Sequence, residues 1–487
     1  MPIFSLPSDF GIGTLGRDAC DFIDFLAAAD VHVWEIMPIC HTDSSFSPHN
    51  ALCARAGNPL LIDLQPFVDQ GVFSSRELSR MDWGRDRAKI SYSKVAAAKY
   101  KALEMVFDAL GSLPDSSFDR FREDNQDWLE DYALFMALKE KFGGRSWQEW
   151  PEKLRLRRPG ALEKARKELA KETEFWKGVQ YLFFRQWHAL KKRANEKGIS
   201  IIGDLPIYVS GDSADVWANP DQFQLDEKGR PTEVAGCPPD GFSEDGQLWG
   251  NPLFDWERMK EENYAWWMRR IAFQFQIYDV LRIDHFRGFD AFYAIPYGDK
   301  TARNGRWRPG PGIEFFQTVK KTLGKKEIIA EDLGFITPEV RKLQQDSGYP
   351  GMKVLEFAFD SREESDYMPH LYPVDSVCYT GTHDNVTLKQ WFDEAAPEDV
   401  ACAKTYLGLN REEGYIRGMI RGCMGSVSRL CVVQMQDYLE LGKEARMNFP
   451  GTLSSANWTW RAEKGFDSDA LAARIYAATK LYGRVGK

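Results

Sequence analysis

No Cys-x-x-Cys pair occurs in these 487 residues, and the 8 cysteines (Cys20, Cys40, Cys53, Cys237, Cys378, Cys402, Cys423 and Cys431) are scattered. That spacing argues against a disulfide-stapled secreted fold, and reduced thiols in the cytoplasm are expected. Long apolar runs are missing too. No window approaches the roughly eighteen uninterrupted apolar residues of a membrane helix, and MPIFSLPSDFG lacks the basic-then-apolar layout of an export signal. Positive charge is not in excess: 63 Lys+Arg stand against 72 Asp+Glu, for a net charge of −9. Nucleic acid and anionic membranes are therefore not expected as partners, and a neutral or cationic ligand fits better.

What the chain does contain is an ordinary globular composition, 43% hydrophobic and 28% charged, with aromatics at 13%. The aromatics exceed what a core of this size requires, and flat rings are what sugar-binding clefts use. Short apolar runs ending in Gly, Pro or an acid recur at 32–38, 199–207, 278–288, 327–334, 376–385 and 429–439, most of them followed by a helical pattern. This is the pattern of a parallel α/β fold. Acidic residues end several separate strands (Asp204, Asp284, Glu331, Asp384), which favours a closed (β/α)8 TIM barrel, where all strand ends surround one axis, over an open sheet. A single catalytic barrel over 1–487 is expected, with a helical insertion at 80–198 between its second and third strands. A loop-rich insertion at 208–265 is expected to fold over the cleft. The first insertion stops at Gly198, a natural residue just past a helix end, and its charge-rich part, 163–175, reads as a solvated face.

Two motifs suggest other chemistry. GIGTLG at 11–16, with Glu35 about nineteen residues on, matches a dinucleotide fingerprint. Yet PSDF separates the glycines from the apolar residues before them, and Glu35 lies inside its run; a turn into the first helix is expected, with no nucleotide cofactor. The segment ICHTDSSFSPHNALC brings Cys40, His41, His49 and Cys53 together, at spacings that match no common zinc pattern. No metal is expected there.

The acids carry a more specific reading. Asp284 in RIDHFRGF is flanked by Arg282, His285 and Arg287, so nearby positive charge should keep it ionised as a candidate nucleophile. Glu331 in IIAEDLG follows an apolar strand, which would raise its pKa toward that of a general acid. Asp384 in YTGTHDN ends a third strand beside His383. Each acid alone could be a helix cap, but facing carboxylates, one ionised and one protonated, are the machinery of a retaining glycosidase and need no cofactor. The adjacent Arg and His residues argue against a Mg²⁺ or Ca²⁺ site.

At this point the chain resembles the 4-α-glucanotransferases called amylomaltases or disproportionating enzymes, glycoside hydrolase family 77 of the α-amylase superfamily. The resemblance runs nearly end to end, through SLPSDFGIGTLG, AGNPLLIDL, WLEDYALFMALK, IIGDLPIYV, PPDGFSEDGQLWGNPL, RIDHFRGF, AEDLGFITPEV, PGMKVLEFAFD, YTGTHDN and EARMNFPGT…NWTWR. It implies a barrel with insertions and no separate C-terminal β-sandwich, acting in the cytoplasm on α-1,4-glucans and maltooligosaccharides with glucose as an acceptor. It assigns Asp284 as nucleophile, Glu331 as acid/base and Asp384 as the third carboxylate. Arg282, His383 and Asp204 would support them, and Phe242, Trp249 and Asn251 would line the acceptor loop. An α-glucan hydrolase and a glucan-binding protein on the same fold are the rival expectations, and monomer and homodimer stay open.

The chain also departs from the family pattern. His49 replaces a tyrosine expected against the donor sugar, Ser44 a second tyrosine, Gly241 an acceptor-loop tyrosine, and Val386 an aspartate. A sugar–aromatic stack is worth on the order of 1 kcal/mol, so altered chain-length or acceptor preference is expected. Met1 falls inside the expected first strand, which predicts a stretch of unpaired barrel wall.

Overall fold

The computed structural model describes residues 1–110, 116–239, 243–334, 336–362, 365–452 and 454–486. Its centre is a parallel sheet of seven strands: β1 (Val33–Glu35), β2 (Ser200–Pro206), β3 (Val280–Asp284), β4 (Ile328–Ala330), β5 (Gly351–Val354), β6 (Ser376–Tyr379) and β7 (Leu430–Val432), neighbours in that order. The sheet curls into a nearly closed barrel. Strands this apolar are stable only when both faces are covered, and here β2 and β6 are almost wholly buried. Inside, Ile202, Ile329, Met352, Val354, Val377 and Tyr379 form the packed centre, and the Tyr379 hydroxyl donates to Glu35 Oε2 at 3.0 Å.

Six of the seven strands lie in the six apolar runs. The seventh, β5, lies in PGMKVLEFAFD, and its run continues into a 3-10 helix, Leu355–Phe359. The expected first strand differs: Ile3–Ser5 is one turn of 3-10 helix. It is held beside the sheet by Ser5 Oγ donating to the Trp460 carbonyl at 2.7 Å and Trp34 Nε1 to that of Met1 at 2.7 Å. β1 and β7 are accordingly the two edges of the sheet among the described residues.

GIGTLG forms the turn into helix Arg17–Ala28, with Gly13 N–H donating to Phe4 C=O at 2.9 Å. Between β1 and β2 the chain is mainly helical, and its longest member, Ala170–Glu196, has 27 residues, about 40 Å at 1.5 Å per residue. Gly198 ends it as its sequence suggests, in the left-handed region at φ 76°.

Residues 208–265 hold more regular structure than a loop-rich cover. Glu233–Cys237 and Gln247–Pro252 are strands, joined by Ala291–Pro296 and Arg306–Pro309 from beyond β3 into a four-stranded antiparallel sheet. Two local hairpins make it up, joined by Glu233–Cys237 pairing with Ala291–Pro296 some sixty residues on, and local periodicity does not reveal that junction. No helix among the described residues is long and apolar enough to cross a membrane.

Candidate active site

Parallel register places the first pair of site residues. Asp204 on β2 is the direct partner of Arg282 on β3, so both side chains share one face of the barrel wall. Arg282 Nη1 donates to Asp204 Oδ1 at 2.6 Å and lies 3.0 Å from Asp284 Oδ1. Burial would raise the Asp204 carboxyl, but Arg282 and His49 outweigh it and hold the group well below the carboxylate range. Burial would likewise lower Arg282, and its carboxylate neighbours drive it further up instead.

Of the three cations beside Asp284 in sequence, Arg282 forms an ion pair with it. Burial pushes His285 down to about 4, so it is neutral at pH 7, and Arg287 places its guanidinium over the Trp307 ring at 3.9 Å.

Glu331 follows β4 and is tied back to the residue after Asp284. The His285 peptide N–H donates to its Oε2 at 2.7 Å, and Leu333 N–H to its Oε1 at 2.9 Å. His285 reaches this geometry in the left-handed region, φ 53°. Burial first and the Asp284 charge second push the Glu331 carboxyl up to about 7, against Arg282 and the two peptide hydrogen bonds. Burial and a like charge thus set its protonation.

Asp384 sits after β6 with half of its side chain exposed. Asn448 Nδ2 donates to its Oδ1 at 2.6 Å and Arg446 Nη2 to its carbonyl at 3.1 Å. Burial opposes ionisation, yet His383, Asn448, His49 and Arg282 hold the group below the usual range.

The segment 39–59 is a hairpin of Cys40–Thr42 and Ala51–Gly57, and its two histidines part company. His41 faces the helical core, its Nδ1 2.8 Å from Tyr132 Oη and its Nε2 3.0 Å from Tyr100 Oη. His49 faces the cleft, with Nε2 3.0 Å from Asp204 Oδ2. Cys40 Sγ donates to the Ala54 carbonyl at 3.3 Å. Among the described residues no group of three or more His, Cys, Asp or Glu could hold a metal ion. The His49 ring stacks on His383 at 5.1 Å, and Trp458 lies 5.5 Å from His49 and 5.6 Å from His383. Ser44 is exposed. The Val386 carbonyl accepts from Gln434 Nε2 at 3.4 Å.

The structure thus gathers Asp204, Arg282, Asp284, Glu331, His383, Asp384 and His49 at one end of the barrel. Trp249 borders them, edge-on to His285 at 4.9 Å and 37% exposed. Asn251 instead ties its strand to the loop after β2, donating to the Val209 carbonyl at 2.9 Å. Phe242 and Gly241 lie outside the described residues. Trp458, Asn448 and Arg446 were not singled out from sequence. They come from an irregular segment with no periodic signal, and only their positions within EARMNFPGT…NWTWR hinted at the site.

The model of the 4-alpha-glucanotransferase family matches residues 1–467. The chain belongs to that family. A 4-alpha-glucanotransferase of Clostridium butyricum is 45% identical over 486 residues, covering 99% of this chain and 100% of the relative. One of Thermus thermophilus is 45% identical over 492 residues, covering 99% and 97%. An amylomaltase of Streptococcus agalactiae, solved in complex with acarbose, superposes with a TM-score of 0.97 at 38% identity, over 100% of this chain and 99% of that one. As a 4-alpha-glucanotransferase family member, the chain is a transglycosylating enzyme with an α/β barrel fold.

Proposed function

We propose that Asp284 is the nucleophile, Glu331 the acid/base and Asp384 the carboxylate that holds the donor sugar, and that the substrates are α-1,4-glucans and maltooligosaccharides. The geometry carries the reading: Arg282 Nη1 lies 3.0 Å from Asp284 Oδ1 and the peptide of the next residue, His285, holds Glu331 Oε2 at 2.7 Å, where burial and the charge of Asp284 push the Glu331 carboxyl up to about 7. At neutral pH one carboxyl can give a proton while its neighbour attacks.

In the first step Asp284 attacks the anomeric carbon, the glycosidic bond breaks, and the departing glucan takes the Glu331 proton. That leaves a covalent glycosyl-enzyme. Glu331, now ionised, removes the proton of an acceptor 4-hydroxyl, whose oxygen displaces Asp284 and restores an α-1,4 bond. Arg282 fixes Asp284 and Asp204 in place, with Nη1 3.0 Å from Asp284 Oδ1 and 2.6 Å from Asp204 Oδ1. His49, His383 and Trp458 make an aromatic wall for the donor sugar. The insertion at 208–265 closes the acceptor side, with Trp249 as its aromatic surface and Asn251 as the tie that fixes its position. Glucose or a maltooligosaccharide is the acceptor, and the enzyme works in the cytoplasm.

Incubation with maltotriose tests this. A ladder of shorter and longer oligosaccharides with glucose is the expected result. Shorter products alone would establish hydrolysis, and binding without turnover would establish a glucan-binding protein.

A further inference from the structure

Beneath the loop that carries His383 and Asp384 lies a buried acid the proposed mechanism does not use. Glu356 follows β5, is only 8% exposed, and its Oε1 has no hydrogen-bond partner among the described residues. Its peptide N–H donates to the Thr380 carbonyl at 3.3 Å, at the root of the loop. Its carboxyl interacts with the Asn385 side chain, and the two face the same spot: a Cβ added at Gly381 would lie 2.8 Å from Glu356 Oε1 and 3.1 Å from Asn385 Cβ. The other face of Asn385 is also committed: its Oδ1 accepts from Thr382 N–H and Thr382 Oγ1, both at 2.9 Å. Asn385 therefore closes the turn 382–385, with Asp384 on it, and Glu356 holds Asn385 from below.

The packing leaves no slack. A Cβ at Gly381 would come within 2.8 Å of Glu356 Oε1 and of Gln434 Nε2, so a glycine lets the loop backbone press onto the acid. The charged groups that reach Glu356 are Asp437, which accepts from Thr380 Oγ1 at 2.6 Å and Leu388 N–H at 2.8 Å, and Arg446, whose Nη2 serves the Asp384 carbonyl. Burial and the Asp437 carboxylate push the Glu356 carboxyl well above the usual range, against Arg446 and the Asn385 hydrogen bond.

Resting on the assignment of Asp384 made above, we infer that Glu356 is a positioning residue for Asp384, propping the 382–385 turn through Asn385 as a hydrogen-bond acceptor. The role needs an acceptor oxygen at this place. Displacing a carboxylate on the donor sugar by a fraction of an ångström is felt in the rate more than in binding.

Four variants assayed with maltotriose test it. Glu356→Gln keeps the acceptor and is expected to hold kcat within about threefold of the parent, with an unchanged pH profile. Glu356→Leu removes the acceptor and is expected to lower kcat about tenfold or more, with a smaller change in KM. Asn385→Asp keeps the bonds from Thr382, loses the hydrogen given to Glu356, and is expected to fall like Glu356→Leu. Full kcat in Glu356→Leu or in Asn385→Asp overturns the inference, as does a Glu356→Gln variant that melts normally yet falls as far as Glu356→Leu. Should Glu356→Leu fail to fold, the Gln and Asn385→Asp variants decide. Asp384→Asn separates the two readings: full transfer in that variant overturns the assignment of Asp384 itself.

Discussion

His49 Nε2 lies 3.0 Å from Asp204 Oδ2 while the His49 ring stacks on His383 at 5.1 Å. Burial works against a charged His49, yet Asp204, Asp284 and Asp384 prevail and hold its imidazole above the usual value. His383, close by, is lowered by burial, with His49 and Arg282 adding to the effect. The two stacked rings are thus shifted in opposite directions.

A histidine with a raised folded value stabilises fully below its unfolded value, about 6.5, and loses that contribution as pH rises through the folded value. His49→Gln should therefore melt lower than the parent most clearly near pH 6, and the gap should narrow in alkaline buffer. Differential scanning calorimetry across pH checks this, and a gap independent of pH counts against the ion pair. His49→Tyr, assayed with maltotriose, should shift the product range; an unchanged range and affinity would remove this residue from specificity.

Glu331 must be protonated for the first step, so kcat/KM should fall as pH rises through about 7. The stability sign follows from the same shift. A carboxyl raised on folding leaves the native state best off below its unfolded value, near 4.3, and costs stability progressively up to its folded value. Glu331→Gln should thus abolish the alkaline limb of any residual activity and raise the melting temperature more at pH 8 than at pH 5, by a few degrees. An equal change at both values would contradict the assignment.

Asp284→Asn should lower transfer by about a thousandfold or more without unfolding the chain, since the side chain is at the open end of β3. Intact activity would overturn the nucleophile assignment.

Arg282 joins two carboxylates from inside the barrel. Arg282→Ala should cost roughly 3–5 kcal/mol, because it leaves Asp204 buried without its cation. Arg282→Lys should recover part of that stability but little transfer, as a flexible ammonium keeps the charge without the planar guanidinium that sets Nη1 between both acids. Urea unfolding and the maltotriose assay separate the two effects.

Zinc and chelator should leave melting unchanged. His41 is pressed down to about 3 by burial and stands between two tyrosine hydroxyls, remote in role from His49. A zinc-dependent rise in melting temperature would contradict the partition of this hairpin.

Strand-end acids were legible because a parallel strand buried on both faces is a continuous apolar run, and the acid that breaks it marks its end. That logic located Asp284 and Glu331 at their strand ends, whereas Asp204, expected at an end, lies within β2 with Leu205 and Pro206 still paired beyond it. It could not separate His41 from His49, which lie eight residues apart on one hairpin, because only tertiary packing decides which faces the helices and which the cleft. Trp458 was invisible for a related reason. It reaches the donor wall from a loop residue at φ 64°, a conformation no periodicity announces. Likewise β5 runs into a 3-10 helix without a break in hydrophobicity, and the antiparallel sheet joins two hairpins that lie far apart in the chain.

The hydrogen bond from the His285 peptide to Glu331 Oε2 couples the placement of the two carboxyls through the backbone. Asp284 and the donor that anchors Glu331 belong to adjoining residues, so a shift of that segment moves both groups together. Stereochemical outcome, which depends on the gap between the two carboxyls, is therefore tied to the backbone and should survive changes in the sugar-contacting surface around it.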